Sequence, residues 1–125
     1  MLKLRCLIDR IPSVRFALAG IWTMLKTQQN AWVHALATVA VIATGLFLGV
    51  DFEAWRWLVL AIMLVWIAEA MNTAFEFLAD LVSPEYHPLV KQAKDVAAGA
   101  VLLAATGAVI IGLLIFIPAI VKLAQ

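Results

Sequence analysis

The chain has 125 residues, of which 66% are hydrophobic and 14% charged, with a formal net charge of +1. A single domain of this size has too little interior to hide that much apolar surface from water, which excludes an ordinary soluble globule and makes the bilayer the solvent. The near-zero charge gives no signal for nucleic acid as a partner, and the lone cysteine, Cys6, excludes an internal disulfide.

In chain order, residues 1–30 read as an amphipathic helix. Leu4, Leu7, Ile8, Ile11, Val14, Leu18, Ile21, Trp22 and Leu25 recur at three- and four-residue steps, with Arg5, Asp9, Arg15 and Lys26 between them. That pattern predicts a helix lying on the cytoplasmic leaflet, interrupted near Pro12. Asp9, Arg10 and Pro12 also break the apolar run that a cleavable signal would need.

Three stretches then reach the roughly 20 apolar residues that a spanning helix requires. They cover residues 31–50, 55–82 and 96–121. Residues 51–54 link the first two. SPEYHPLVKQAKD links the second to the third, with Pro84 and Pro88 as helix breakers. Basic residues set the orientation. Lys3, Arg5, Arg10, Arg15 and Lys26 precede the first span, and Lys91 and Lys94 lie between the second and third, whereas Arg56 and Lys122 fall on the opposite side. The N-terminus and the SPEYHP segment are therefore expected in the cytoplasm. Trp32, Trp55 and Trp57 sit at span ends as interfacial anchors.

The second span carries the chemistry. Glu69, Asn72, Glu76 and Asp80 are offset by three, four and four residues, which places them on one helical face. A carboxylate turned to lipid costs at least about 2.5 kcal/mol. The stripe must therefore face protein, water or a cation; interhelical hydrogen bonding within an oligomer is the plainer alternative. Asp80, near the membrane edge, reads as solvated. The third span opens with Lys94 and Asp95, then Ala97, Ala98, Gly99 and Ala100, small residues that let helices approach closely. Such packing would bring the Lys-Asp pair against the acidic end of the second span. There the lysine can neutralise phosphate oxygens and the adjacent aspartate can hold the lysine. His34, just inside the first span, reads as a hydrogen-bonding partner for a neighbouring helix.

Taken together, EAMNTAFEFLADLVSPEYHPLVKQAKDVAAGAV closely resembles the prokaryotic-type diacylglycerol kinase and undecaprenol kinase family. The match is E-x-x-N-T-x-x-E, then S-P-E-Y-H-P, then A-K-D-V-A-A-G-A-V, with weaker similarity through RFALAG and from Asn30 to His34. The resemblance implies an all-α membrane protein: a surface helix and three transmembrane helices per subunit, assembled as a homotrimeric bundle in the bacterial inner membrane. Its composite active sites would lie at the cytoplasmic interface and move the γ-phosphate of ATP to a lipid alcohol. Carried onto this chain, it makes Glu69 the general base, Asn72 a positioning group and Glu76 a ligand of Mg²⁺. Glu85, Tyr86 and His87 would contact the nucleotide, Lys94 would bind phosphate oxygens, and Asp95 would orient Lys94 or meet the nucleoside. No Gly-rich phosphate loop is present, so the chemistry is neither P-loop nor protein-kinase chemistry.

Three positions depart from the family's pattern. Gln28 stands where an acidic second metal ligand is usual, with Gln29 where an arginine is common, and Phe16 replaces a tyrosine near the nucleotide. Gln28 can still offer a carbonyl oxygen to Mg²⁺, without the charge. The SPEYHP loop followed by AKDVAAGA favours undecaprenol over diacylglycerol as the acceptor. The alternative of another class is a non-catalytic or weakly active nucleotide-binding membrane oligomer.

Overall fold

The computed structural model describes residues 11–125. Its described residues form four helices and no strand: α1 Ile11–Thr27, α2 Gln29–Leu48, α3 Phe52–Val82 and α4 Pro88–Leu123. The last three are each long and apolar enough to cross a membrane. The chain is an all-α membrane protein. Residues 1–10, which carry the first part of the expected amphipathic helix and Cys6, lie outside the described residues.

α1 is described from Ile11 and continues through Pro12 to Thr27. Thr23 and Thr27 donate their hydroxyls back to the carbonyls of Ala19 (3.0 Å) and Thr23 (2.9 Å), so neither needs a partner off the helix. The Lys26 ammonium sits 4.9 Å from the centroid of the Trp22 ring. Met24 is buried, while Val14, Phe16, Leu18 and Trp22 stay largely uncovered. One extended residue, Gln28 (φ −106°, ψ 118°), separates α1 from α2. This single break turns the Gln28 side chain in towards α3.

Both later connections are tighter than the sequence reading predicts. α2 ends at Gly49, whose φ of 61° is the left-handed conformation that glycine adopts without a Cβ clash. Asp51 then caps α3, its carboxylate accepting the N–H of Ala54 at 2.8 Å. The helix consequently begins at Phe52, and residues 52–54, expected in the link, are helical. α3 stops at Ser83, just ahead of Pro84. The expected break at Pro88 is not found. Pro88 is the first residue of α4, and the Nδ1 of His87 caps the helix by accepting the N–H of Leu89 at 3.2 Å. The loop is therefore residues 83–87, and Lys91, Lys94 and Asp95 stand on α4, ahead of the apolar run. Pro118 also lies inside α4 without ending it.

α3 packs against all three other helices. Its buried residues Leu58, Ala61, Val65, Glu69, Asn72 and Thr73 recur at three- and four-residue steps, so one face is apolar in its first half and polar in its second. α4 lies along α3 through Val101 and the half-buried small residues Ala97, Ala104, Ala105 and Ala108, the close approach that small side chains permit. α2 is keyed to α3 at two points. The Trp66 indole N–H donates to the Thr38 hydroxyl at 3.0 Å, and that hydroxyl donates to the backbone carbonyl of His34 at 2.7 Å. Nearer the other end, the Trp55 ring lies over Gly45 so closely that a Cβ there would meet it at 2.9 Å. The outer faces of α2 and α4, including Leu36, Phe47, Leu103 and Leu114, are open, as lipid or another chain requires.

The helix lengths place the polar stripe. The 31 residues of α3 rise about 46 Å at about 1.5 Å per residue, against a hydrocarbon core of about 30 Å. Its charged residues beyond Arg56 are all in the second half, so the surplus length projects at that end. Gly45→Val should destabilise the α2–α3 hairpin by about 1–3 kcal/mol, the usual effect of overpacking. Detergent unfolding of the variant beside Gly45→Ala would measure it, with the smaller substitution giving the smaller loss.

Candidate active site

The polar half of the α3 face forms two groups of side chains. The deeper one begins with Glu69, which is fully buried. Neither of its carboxylate oxygens has a hydrogen-bond partner. The group facing it is the Nε2 of His34 on α2, 3.5 Å from Oε2. Thr73, one turn on, donates its hydroxyl to the Glu69 carbonyl at 2.9 Å, which ties up the helix backbone and leaves the carboxylate free. Asn72 is buried as well. Its Nδ2 donates to Oε1 of Glu76 at 3.2 Å, and its Oδ1 is unpartnered. The other Glu76 oxygen accepts the Nε2 of Gln28 at 3.0 Å, across 48 residues of sequence. The break between α1 and α2 is what puts Gln28 there. The two residues expected to share a metal are thus in direct contact, with Asn72 on the other oxygen of Glu76.

This set fits a magnesium ion in kind. Mg²⁺ keeps several waters and is commonly held by one or two carboxylates together with substrate phosphates. Glu76 offers one carboxylate, and a rotated Gln28 amide would offer a neutral oxygen. No group of three or more His, Cys, Asp or Glu side chains converges among the described residues. A cage made wholly of such protein ligands is therefore not what the described residues offer.

The second group lies one turn further along α3. Asp80 Oδ1 accepts the Lys94 ammonium at 3.0 Å, bridging α3 and α4. Asp95 does not hold Lys94, as its sequence neighbourhood implied. It pairs with Lys91, four residues earlier on the same helix face, because side chains adjacent in a helix diverge by about 100°. Asp80, read from the sequence as merely solvated, is the lysine's partner; its place at the end of the Glu69–Glu76 stripe was the signal for it. With Glu85, Tyr86 and His87, these residues line an open cavity of about 330 Å³ between the α3–α4 loop and the first turns of α4. Phe16 is not brought to it; its ring is 73% exposed on α1.

Between α3 and α4 runs an apolar groove of about 610 Å³, lined by Met71, Phe75, Val96, Ala97 and Ala100 and reaching Asn72. The arrangement therefore has a buried carboxylate, an oxygen-rich centre and a charged cavity in order along one helix, with an oily groove beside the first two.

The family described as prokaryotic diacylglycerol kinase matches residues 15–116. The chain belongs to that family. Both side-chain groups fall inside the matched span. Among its relatives, an undecaprenol kinase of Bacillus subtilis (strain 168) is 42% identical over 99 residues, which cover 79% of this chain and 80% of that protein. A diacylglycerol kinase of Synechocystis sp. is 45% identical over 114 residues, covering 90% of this chain and 65% of the relative, just under two thirds of its length. The diacylglycerol kinase of Escherichia coli (strain K12) is 34% identical over 92 residues, covering 68% and 75% of the two chains. The chain is thus an enzyme of a membrane-kinase family, and the names of its relatives divide between two lipids.

In this kinase the Lys94–Asp80 pair is solvent-exposed, with side chains 38% and 69% accessible, and pairs of that kind contribute at most about 1 kcal/mol to stability. Lys94→Met should therefore leave unfolding within about 1 kcal/mol of wild type while phosphoryl transfer drops steeply. Parallel denaturation and activity measurements on the same sample would separate the two effects.

Proposed function

We propose that this chain is an ATP-dependent lipid-alcohol kinase of the bacterial cytoplasmic membrane. It would act as a homotrimer, with its N-terminus and the 83–87 loop on the cytoplasmic side and undecaprenol preferred to diacylglycerol. The observation that carries the reading is the Glu69 carboxylate: fully buried, unpartnered, and less than two turns below Asn72 and Glu76 on the same face. A lipid alcohol moving sideways along the apolar groove brings its hydroxyl to Asn72, one turn from Glu69, without leaving the membrane.

Each residue then has a task. Glu69 accepts the hydroxyl proton as the oxygen attacks the γ-phosphorus. The new P–O bond forms while the bond from that phosphorus to the bridging oxygen of ADP breaks. Phosphoryl transfer depends mainly on positioning and charge neutralisation. Asn72, anchored through Nδ2 to Glu76, turns its free Oδ1 towards the acceptor. Lys94, held by Asp80, presents its ammonium to the phosphates from the charged cavity, where Glu85, Tyr86 and His87 border the nucleotide. Glu76, with Gln28, would hold Mg²⁺, which when bound neutralises oxygens of the β- and γ-phosphates.

Support for the acceptor comes from the SPEYHP loop and the AKDVAAGA run, and from 42% identity to a protein named undecaprenol kinase. The 45% identity to a diacylglycerol kinase keeps the second lipid in the test. Support for the trimer comes from the uncovered outer faces of α2 and α4 and from the openness of the charged cavity. The basic residues before α2 and on the first turns of α4 support the sidedness. A non-catalytic nucleotide-binding oligomer is the second reading, favoured by one observation: an uncharged Gln28 occupies the second oxygen of Glu76.

The deciding experiment is ATP-dependent phosphorylation by purified protein in lipid nanodiscs, with undecaprenol and diacylglycerol offered separately. Glu69→Gln should lower turnover by about 10²–10⁴-fold, the usual contribution of a general base, with oligomeric state unchanged. No product from either lipid, with ATP still bound, would favour the second reading. Gln28→Glu should lower the Mg²⁺ concentration needed for half-maximal rate, and an unaltered requirement would remove Gln28 from the metal site.

A further inference from the structure

A general base that gains a proton in every cycle must release it before the next. Glu69 has no route of its own for this. Its side chain is 1% exposed, and its two oxygens touch no hydrogen-bonding group. The atom that faces it, Nε2 of His34, is also buried and unpartnered. At 3.5 Å the pair stands at the outer limit of a hydrogen bond, a separation typical of catalytic contacts that tighten when substrate arrives. The side chain as a whole keeps 14% of its surface accessible, and Nδ1, unlike Nε2, is not among the atoms sealed from solvent.

The other polar groups near Glu69 are occupied or cannot carry a proton. On α3, Asn72 is an amide, and both oxygens of Glu76 accept amide protons from Gln28 and Asn72. On α4, the lining of the adjacent groove is apolar except for Gln92, an amide that carries no proton, and Lys94 is engaged by Asp80. His34 is also fixed in place. Trp66 on α3 holds Thr38, and Thr38 holds the His34 backbone carbonyl. This clamp sets the register of α2 against α3 that aims the ring at Glu69.

We propose that His34 is the positioning and relay residue of the reaction: it orients the Glu69 carboxylate and carries away the proton that the base takes from the acceptor hydroxyl. The inference rests on Glu69 being that base. In the relay the Glu69 O–H bond breaks as the lone pair of Nε2 takes the proton. The imidazolium gives its Nδ1 proton to water at its accessible edge, and the ring turns over so that a bare nitrogen again faces Glu69 before the next cycle. No electron changes hands, and the carboxylate is regenerated. A neutral imidazole with Nε2 as acceptor suits this task because the two ring nitrogens can serve different partners.

The test uses the full-length protein in nanodiscs. His34→Ala should lower kcat by at least about tenfold, at the low side of acid–base effects, with the KM values for ATP and lipid nearly unchanged. Imidazole added to the buffer should restore its turnover in proportion to concentration and should do nothing for Glu69→Gln. A merely structural histidine would not respond to imidazole. If His34→Ala does not assemble, His34→Ser carries the same rescue measurement. A wild-type kcat in the variant, or a lowered kcat in assembled protein that imidazole leaves unmoved, would overturn the relay. Wild-type turnover in Glu69→Gln would instead overturn the assignment of the base on which the relay rests.

Discussion

An ionisable side chain cannot be left facing hydrocarbon, and α3 carries one at membrane depth. Counted from Phe52, Glu69 lies about 25 Å along the helix axis at about 1.5 Å per residue, still inside a core of about 30 Å. The cost of exposing a charge there, at least about 2.5 kcal/mol, makes α3 the innermost helix. Its Leu58, Ala61 and Val65 lie on the same face as Glu69, so burying the acid buries the apolar residues with it. The other helices are arranged around that face. α4 comes close because its facing residues are small, and α2 is locked by the Trp66–Thr38 bond and by the fit of Trp55 over Gly45.

The same helix grades from oil to water. Glu69 is sealed, Asn72 and Glu76 share an oxygen-rich centre with Gln28, and Asp80 meets Lys94 in an exposed cavity. From the first to the last of these acids the axis advances about 16 Å, at about 1.5 Å per residue. A kinase that joins a lipid to a nucleotide has to serve two reactants that do not share a solvent. A single helix crossing the boundary lets each be met in its own medium, with the reacting atoms between. Proton release is the natural difficulty of this plan, because the group best sheltered to act on the lipid is the one furthest from water. His34 stands at that point.

Several of these features are legible in the amino-acid pattern and others are not. The Glu69, Asn72, Glu76 and Asp80 stripe follows from helical periodicity, as does the need to bury it. The contact of Gln28 with Glu76 required the resemblance to a family, since nothing local to TQQN points to a residue 48 positions away. Pro88 misled because proline ends helices from within but begins them equally well, and the difference lay in His87 capping the turn. Lys94 and Asp95 looked like a pair because they are adjacent. In a helix adjacency separates side chains, so each found its partner elsewhere, at Asp80 and Lys91.

By itself, then, the sequence determined the solvent, the helical class, the long apolar helices and the acids that had to turn inward. These depend on composition and on a 3.6-residue period, and both are local properties. Tertiary structure alone decided which groups meet: Gln28 with Glu76, His34 with Glu69, Lys94 with Asp80, Trp66 with Thr38. Those contacts depend on the register and rotation of one helix against another. Register is set by side-chain fit summed along the whole length of a helix pair, by small residues on α4 and a tryptophan seated on a glycine, and no short stretch of sequence contains that sum.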